Sequence, residues 1–206
     1  MKTLLKGGQV VSGSGTAAVD VLLDGETIAA VGPNLSADGA EVVDCAGKLL
    51  FPGFIDAHTH FDLEVAGTIT ADDFITGSRA ALRGGTTTVI DFAAPDKGES
   101  LHAGLRRWQK KADGRCACDY GFHMTIDDWN EGISREIGEM MEEGIPSFKM
   151  YMTYPAMMLG EEDMYFALKR LKEAGGLTGV HCENHGIIDA LIAEKKAVGA
   201  MNPSSH

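Results

Sequence analysis

Phe54-Ile55-Asp56-Ala57-His58-Thr59-His60 is an apolar, strand-like run that ends in two imidazoles, and the chain beyond it repeats one pattern four more times. Phe54 to Ala57 reads as a strand, and a helix over about residues 71–83 follows and is stopped by Gly84-Gly85. The series continues with strand Thr86–Phe92, helix Leu101–Ala112, strand Asp119–Met124, helix Gly132–Glu143 and strand Ser147–Met152. Helix Glu161–Ala174, strand Leu177–Cys182 and a helix over about residues 186–197 complete it. Five βα units predict a parallel sheet covered by helices, either open and doubly wound or curled toward a barrel. No Gly-x-Gly-x-x-Gly stands between the first strand and its helix, which weakens the dinucleotide-binding version; His-Thr-His stands there instead. Five strands are three short of eight, so the expectation is a partial (β/α)8 TIM-type barrel, α/β in class. The ending Asn202-Pro203-Ser204-Ser205-His206, without a capping element, reads as a truncation.

Working outward from that run, the first fifty residues have a different grammar. Leu4-Leu5-Lys6, Gln9-Val10-Val11, Val19 to Leu23, Thr27 to Val31 and Glu41 to Asp44 are short β-branched runs cut by Gly, Asp, Ser and Asn. They predict a small antiparallel sheet or half of a sandwich, with a tight hairpin at Asp24-Gly25. Residues 1–52 are therefore expected to be a β-sandwich portion and residues 53–206 an incomplete (β/α) barrel.

Composition narrows the partners. The 206 residues are 44% hydrophobic and 23% charged, the balance of a folded globular protein. A net charge of -12 repels phosphate backbones and anionic lipid, so neither nucleic acid nor membrane is an expected partner. No apolar stretch approaches the roughly 18 residues of a membrane span, and Met1-Lys2-Thr3 leads into a strand-like segment, not a signal core, so the cytoplasm is the expected location. Cys45, Cys116, Cys118 and Cys182 are few and irregularly spaced, which argues against a disulfide framework. A zinc knuckle from Cys116, Cys118 and His123 would lack a fourth ligand, and the alternation around His123 reads as a strand.

Chemistry concentrates at predicted strand ends. Strand periodicity puts His58 and His60 on one side and Thr59 on the other, so the two imidazoles are either a ligand pair for a divalent ion such as zinc or two loop histidines. In a parallel barrel the C-terminal strand ends converge, so further ligands should recur at later ends. Lys149 lies in the fourth strand and His181 at the end of the fifth. Lys149 stands among Phe148, Met150 and Met152, where an ammonium loses solvation; a neutral amine can react with carbon dioxide to give a carbamate able to bridge two ions. The alternatives are a snorkelling lysine and a hydrogen-bonded core histidine.

Four segments together, Gly47 to Asp62, Gly84 to Asp91, Phe148 to Tyr154 and Val180 to Asn184, resemble the cyclic-amide amidohydrolases, most nearly the dihydropyrimidinase and D-hydantoinase branch. The resemblance runs through these residues in order, and corresponds to the N-terminal part of the family's chain. It implies two divalent metal ions, zinc by expectation: His58 and His60 on one, His181 on the other, and Lys149, N-carboxylated, bridging them. It implies that Tyr154 donates a hydrogen bond to the substrate carbonyl and to the oxyanion formed when a metal-bound hydroxide attacks, although a tyrosine there could equally be a packed loop aromatic. Leu63, Val65, Met157 and Met158 are either the pocket for the ring's exocyclic substituent or core filler, and Asn184 reads as a helix cap. The substrate implied is a 5,6-dihydropyrimidine or a 5-substituted hydantoin, as in pyrimidine catabolism, and the full-length protein is expected to be a homo-oligomer. The family's proton-shuttling aspartate and a further histidine ligand would fall beyond His206, so these 206 residues alone are expected to be inactive. Allantoinase or dihydroorotase chemistry on the same scaffold, or a non-catalytic binding or assembly role, are the alternatives; retention of His58, His60, Lys149 and His181 argues against the last.

Overall fold

A computed structural model describes residues 1–65 and 67–205 of the chain; Ala66 and the terminal His206 lie outside the described residues. The chain divides into two compact units, Met1–Phe54 and Ile55–His206.

The first unit holds strands β1 (Lys2–Lys6), β2 (Gln9–Ser12), β3 (Gly15–Ala18), β4 (Asp20–Asp24), β5 (Thr27–Gly32), β6 (Ala40–Asp44) and β7 (Leu49–Leu50). They form two sheets, ordered β5-β4-β1-β6 and β3-β2-β7. β4 and β5 make the expected hairpin, closed by Gly25-Glu26 with Gly25 at φ 58°, a conformation glycine adopts without a Cβ clash. The sheets are mixed, not antiparallel as the sequence predicts: β6 runs parallel to β1 and β7 parallel to β2. Short β-branched runs reveal strands but not partners. β3 escapes detection because Gly15-Thr16-Ala17-Ala18 is small, exposed and almost without β-branched residues. Buried Asp20 ties this unit together, accepting the Gly7 amide at 2.9 Å and the Leu35 amide at 3.1 Å.

The second unit alternates strand and helix: β8 (Phe54–Thr59), the short hairpin strands β9 (Glu64–Val65) and β10 (Thr68–Ile69), α1 (Phe74–Arg83), β11 (Thr86–Ala93) and α2 (Leu101–Ala112). It goes on with β12 (Asp119–Thr125), α3 (Glu131–Glu142), β13 (Ser147–Tyr151), α4 (Glu161–Ala174), β14 (Leu177–His181) and α5 (His185–Ala197). Its main sheet has the order β14-β13-β12-β11-β8, and β11 to β14 are parallel neighbours. Strands laid down in chain order, each followed by a helix, form a half-barrel of the (β/α)8 type. Each long helix starts on a side chain or a glycine. Asp73 and Thr76 cap α1 reciprocally, while Ser100, Asn130 and Asn184 accept N-terminal amides of α2, α3 and α5.

The two faces of the sheet differ. Phe122, Met124, Phe148 and Met150 point to the helices and join Leu101, Leu105, Trp108, Ile133, Ile137, Met140 and Leu171 in one buried cluster. The alternate residues His123, Lys149 and Tyr151 are only partly buried and occupy the opposite, inner face. None of the described helices is long and apolar enough to cross a membrane.

Candidate metal centre

The inner face is organised around the ring of Phe92, near the end of β11. His58 and His60 pack on it with ring centroids at 4.7 and 4.8 Å, and His123 does so at 4.8 Å. The Lys149 Nζ lies 5.9 Å from the same ring and 5.3 Å from that of Tyr151. Tyr151 is the cross-strand partner of His181, their rings 5.9 Å apart, and Tyr154 stands 5.1 Å from His181. His58, His60, Lys149, His181 and Tyr154 therefore follow one another along one face through shared aromatic neighbours. A concavity of about 220 Å³ beside them is lined by Ala57, His58, Phe92, His123, Lys149 and Gly179 among others.

The two histidines are the tightest pair. Their rings are T-shaped at 82°, with the Nε2 atoms 3.2 Å apart. Two nitrogens each 2.0–2.1 Å from one tetrahedral zinc stand about 3.3 Å apart, so the spacing of the pair matches that of two ligands on one ion. Burial, then the charges of His58 and Lys149, lower the His60 pKa, which favours the neutral imidazole. His181 is differently engaged: its Nε2 donates to Glu183 Oε2 at 2.7 Å, which leaves Nδ1 to bind. Among the described residues no three His, Cys, Asp or Glu side chains converge on a single point, so a complete ligand set needs Lys149 or donors from elsewhere.

Tyr154 is 48% exposed and sits at φ 68°, a left-handed conformation that is strained for a bulky residue. Its carbonyl accepts the amides of Met157 and Met158 at 2.8 and 2.9 Å and fixes the turn that carries both. Leu63 packs against the buried cluster, its amide donating to Thr70 Oγ1 at 3.0 Å, whereas Val65 in β9 is 47% exposed. The four residues thus divide between the β9–β10 hairpin region and the loop after β13.

Two residues of the site are not apparent from sequence. His123 belongs to the inner face: its Nε2 lies 2.9 Å from the Ala57 carbonyl, which can only accept, so in the neutral ring Nδ1 accepts from Ser147 Oγ at 2.6 Å. Both nitrogens are thereby used within the sheet, while Cys116 and Cys118 face each other at 3.9 Å as free thiols. Asp91, the one acid of β11, is 1% exposed and accepts four hydrogen bonds. Burial raises its pKa against those four bonds. Asp91 faces the helices, on the side of β11 opposite Phe92, with Trp108 Nε1 of α2 at 3.1 Å, and no local sequence signal marks it.

Comparison with known proteins identifies the family of the fold. The chain is 41% identical to the D-hydantoinase of Streptomyces coelicolor over 211 residues, covering 100% of this chain and 45% of that protein. It is 39% identical to the dihydropyrimidinase of Dictyostelium discoideum over 206 residues, covering 98% of this chain and 41% of that one. The crystal structure of dihydropyrimidinase from Brevibacillus agri superposes with a TM-score of 0.95 at 43% identity, covering 98% of this chain and 44% of that one. The chain thus spans less than half the length of each of these relatives. Residues 49–204, all the described βα units among them, match the model of the amidohydrolase family, and the chain belongs to that family.

Proposed function

We propose that this chain contributes His58, His60, Lys149, His181 and Tyr154 to a site that opens cyclic amides, 5,6-dihydropyrimidines or 5-substituted hydantoins, by hydrolysis. The observation that carries the reading is the Nε2–Nε2 approach of 3.2 Å between His58 and His60 at the end of β8, on the face that also bears Lys149 and His181. Relatives named D-hydantoinase and dihydropyrimidinase, similar over essentially the whole of this chain, support the substrate class. Residues 1–52 are then the β-sandwich portion and residues 53–206 the catalytic barrel segment.

His58 and His60 would hold one divalent ion and His181 a second, with the Lys149 amine, N-carboxylated by CO2, between them; zinc suits these nitrogen and oxygen donors. Bound there, such ions lower the pKa of water toward neutrality and polarise a carbonyl. The chain's own side chains do the rest. The Tyr154 phenol, half exposed on a strained backbone, donates to the substrate carbonyl oxygen and more strongly to the oxyanion; loss of one such donor costs about 2.7–4 kcal/mol in comparable sites. Leu63, Val65, Met157 and Met158 receive the ring substituent, and the best-supported pair is Met157 and Met158, held beside Tyr154 by its carbonyl. Phe92 keeps one wall of the site dry. The whole protein would act on a small uncharged ring as a cytoplasmic homo-oligomer, and the net charge of -12 on these 206 residues is consistent with no nucleic-acid or membrane-surface role.

Two readouts test this. Cobalt(II) titration of the chain should give a coordination spectrum that His58→Ala and His60→Ala abolish. Ring opening of dihydrouracil and 5-phenylhydantoin should be absent in the chain alone and present when it is extended by the part of the Streptomyces coelicolor D-hydantoinase that it does not match. Lys149→Ala should then remove it. No cobalt uptake, or ring opening indifferent to Lys149→Ala, overturns the reading.

A further inference from the structure

We propose that Asp91 is a positioning residue that sets the His58–His60 pair by clamping the backbone on both sides of His60; the inference rests on the metal reading of those two histidines. β8 ends at Thr59, so His60 and Phe61 lie beyond the last residue that the sheet ladder holds. Asp91 replaces the ladder. Its Oδ2 accepts the Thr59 hydroxyl at 2.9 Å and the Phe61 amide at 2.8 Å, one residue before and one after His60. Its Oδ1 accepts the Phe92 amide at 2.8 Å and Trp108 Nε1 at 3.1 Å, which anchors the carboxylate to β11 and to α2. One carboxylate, 1% exposed, therefore joins the chain around His60 to the strand that carries Phe92.

The arrangement matters because the imidazole has no such support of its own. A histidine ligand normally donates its second ring nitrogen to a carboxylate or a carbonyl, and that bond sets the ring's orientation. Among the described residues the buried Nδ1 of His60 has no hydrogen-bond partner. Its ring is held by Phe92 and by the backbone from which it springs, so the orientation of Nε2 toward His58 depends on residues 59 and 61 staying in place. The carboxylate that would ordinarily bind the ring acts one bond removed, on the main chain. An acceptor-only group suits this position, because all four partners are donors and an amide would turn N–H against at least one of them.

The test compares cobalt(II) affinity with stability of the metal-free chain. Thr59→Val removes one bond of the clamp on the His60 side, and should weaken cobalt binding about tenfold and shift its visible spectrum; Thr59→Ser, which keeps the hydroxyl, should restore both. Asp91→Asn should weaken binding at least as much. Ile137→Ala, a fully buried truncation in α3 that removes none of the clamp's hydrogen bonds, is the structural control: it lowers stability and leaves cobalt affinity unchanged. Cobalt binding by the wild type that is undiminished in Thr59→Val removes this inference alone, as does an equal loss of affinity in Ile137→Ala. Should Asp91→Asn fail to fold, the Thr59 pair decides. A wild-type chain that binds no cobalt brings down the metal reading itself, and this inference with it.

Discussion

Asp127 offers a quantitative test of how the sheet's C-terminal end is built. It follows β12 at 5% exposure, and its pKa is raised from 3.8 to about 6. Burial is the main cause; a backbone hydrogen bond and Lys97 oppose it, and the charges of Asp128 and Asp96 add to it. A folded-state pKa above the unfolded one means that the native chain holds its proton more tightly. The native state is then favoured below the unfolded value, and this advantage is lost as pH rises through about 6. At 1.36 kcal/mol per unit, a shift of about two units makes ionised Asp127 a liability of about 3 kcal/mol at neutral pH. Asp127→Asn keeps the shape and stays neutral throughout. It should match the wild type near pH 4 and exceed it by up to about 3 kcal/mol above pH 6.5, with the difference growing across the interval. Urea unfolding of metal-free protein at half-unit pH steps, followed by tryptophan fluorescence, measures this directly, and subtracting the two proteins cancels the other titrating groups. A difference that stays flat from pH 4 to 7, or a variant less stable at neutral pH, would refute the burial argument.

Two further substitutions probe the frame of the site. A Cβ added at Gly77 in α1 would stand 2.3 Å from Phe61 Cε1, and Phe61 follows His60 and packs on Phe74 with centroids 5.5 Å apart. Gly77→Ala should therefore cost about 1–3 kcal/mol in chemical denaturation and also perturb the cobalt spectrum; an unchanged spectrum would mean that the Phe61 ring moves without disturbing His60. Asp73→Ala removes the reciprocal cap of α1, whose carboxylate is held below the ordinary range chiefly by the Thr76 amide. The variant should melt earlier at neutral pH, with the gap closing as acid protonates wild-type Asp73; a gap that persists in strong acid would contradict the cap.

What the sequence discloses and what it withholds divide along physical lines. The alternation from Phe54 onward is legible because each element carries its own signal: glycine stops at Gly84 and Gly175, side-chain caps at Asp73, Ser100, Asn130 and Asn184, and apolar strands between them. The His58–His60 pair is legible for the same reason, since a spacing of two in a strand fixes one face. The mixed sheets of the first unit are not, because the parallel partner of β1 is β6, separated from it by four strands, and no local feature names it. His123 is the clearest case. Sequence neighbours join it to Cys116 and Cys118, but its partners are Ser147 and the Ala57 carbonyl, 24 and 66 residues away.

Asp91 is withheld more completely still. In sequence it is one acid within Thr86-Thr87-Thr88-Val89-Ile90-Asp91-Phe92, with nothing to separate a solvent-facing residue from a buried one. A buried carboxylate persists in an apolar layer only where enough donors replace water, and here the four donors come from residues 59, 61, 92 and 108. Three of those lie on other elements or past a strand end, so the condition that permits Asp91 exists only after β8, β11 and α2 have assembled. A ligand pair can be written into two positions of one strand, but the group that holds it in place is specified by the fold as a whole. For this reason the loss of cobalt affinity in Thr59→Val, and not in Ile137→Ala, would separate a site built by local sequence from one whose geometry is imposed by tertiary structure.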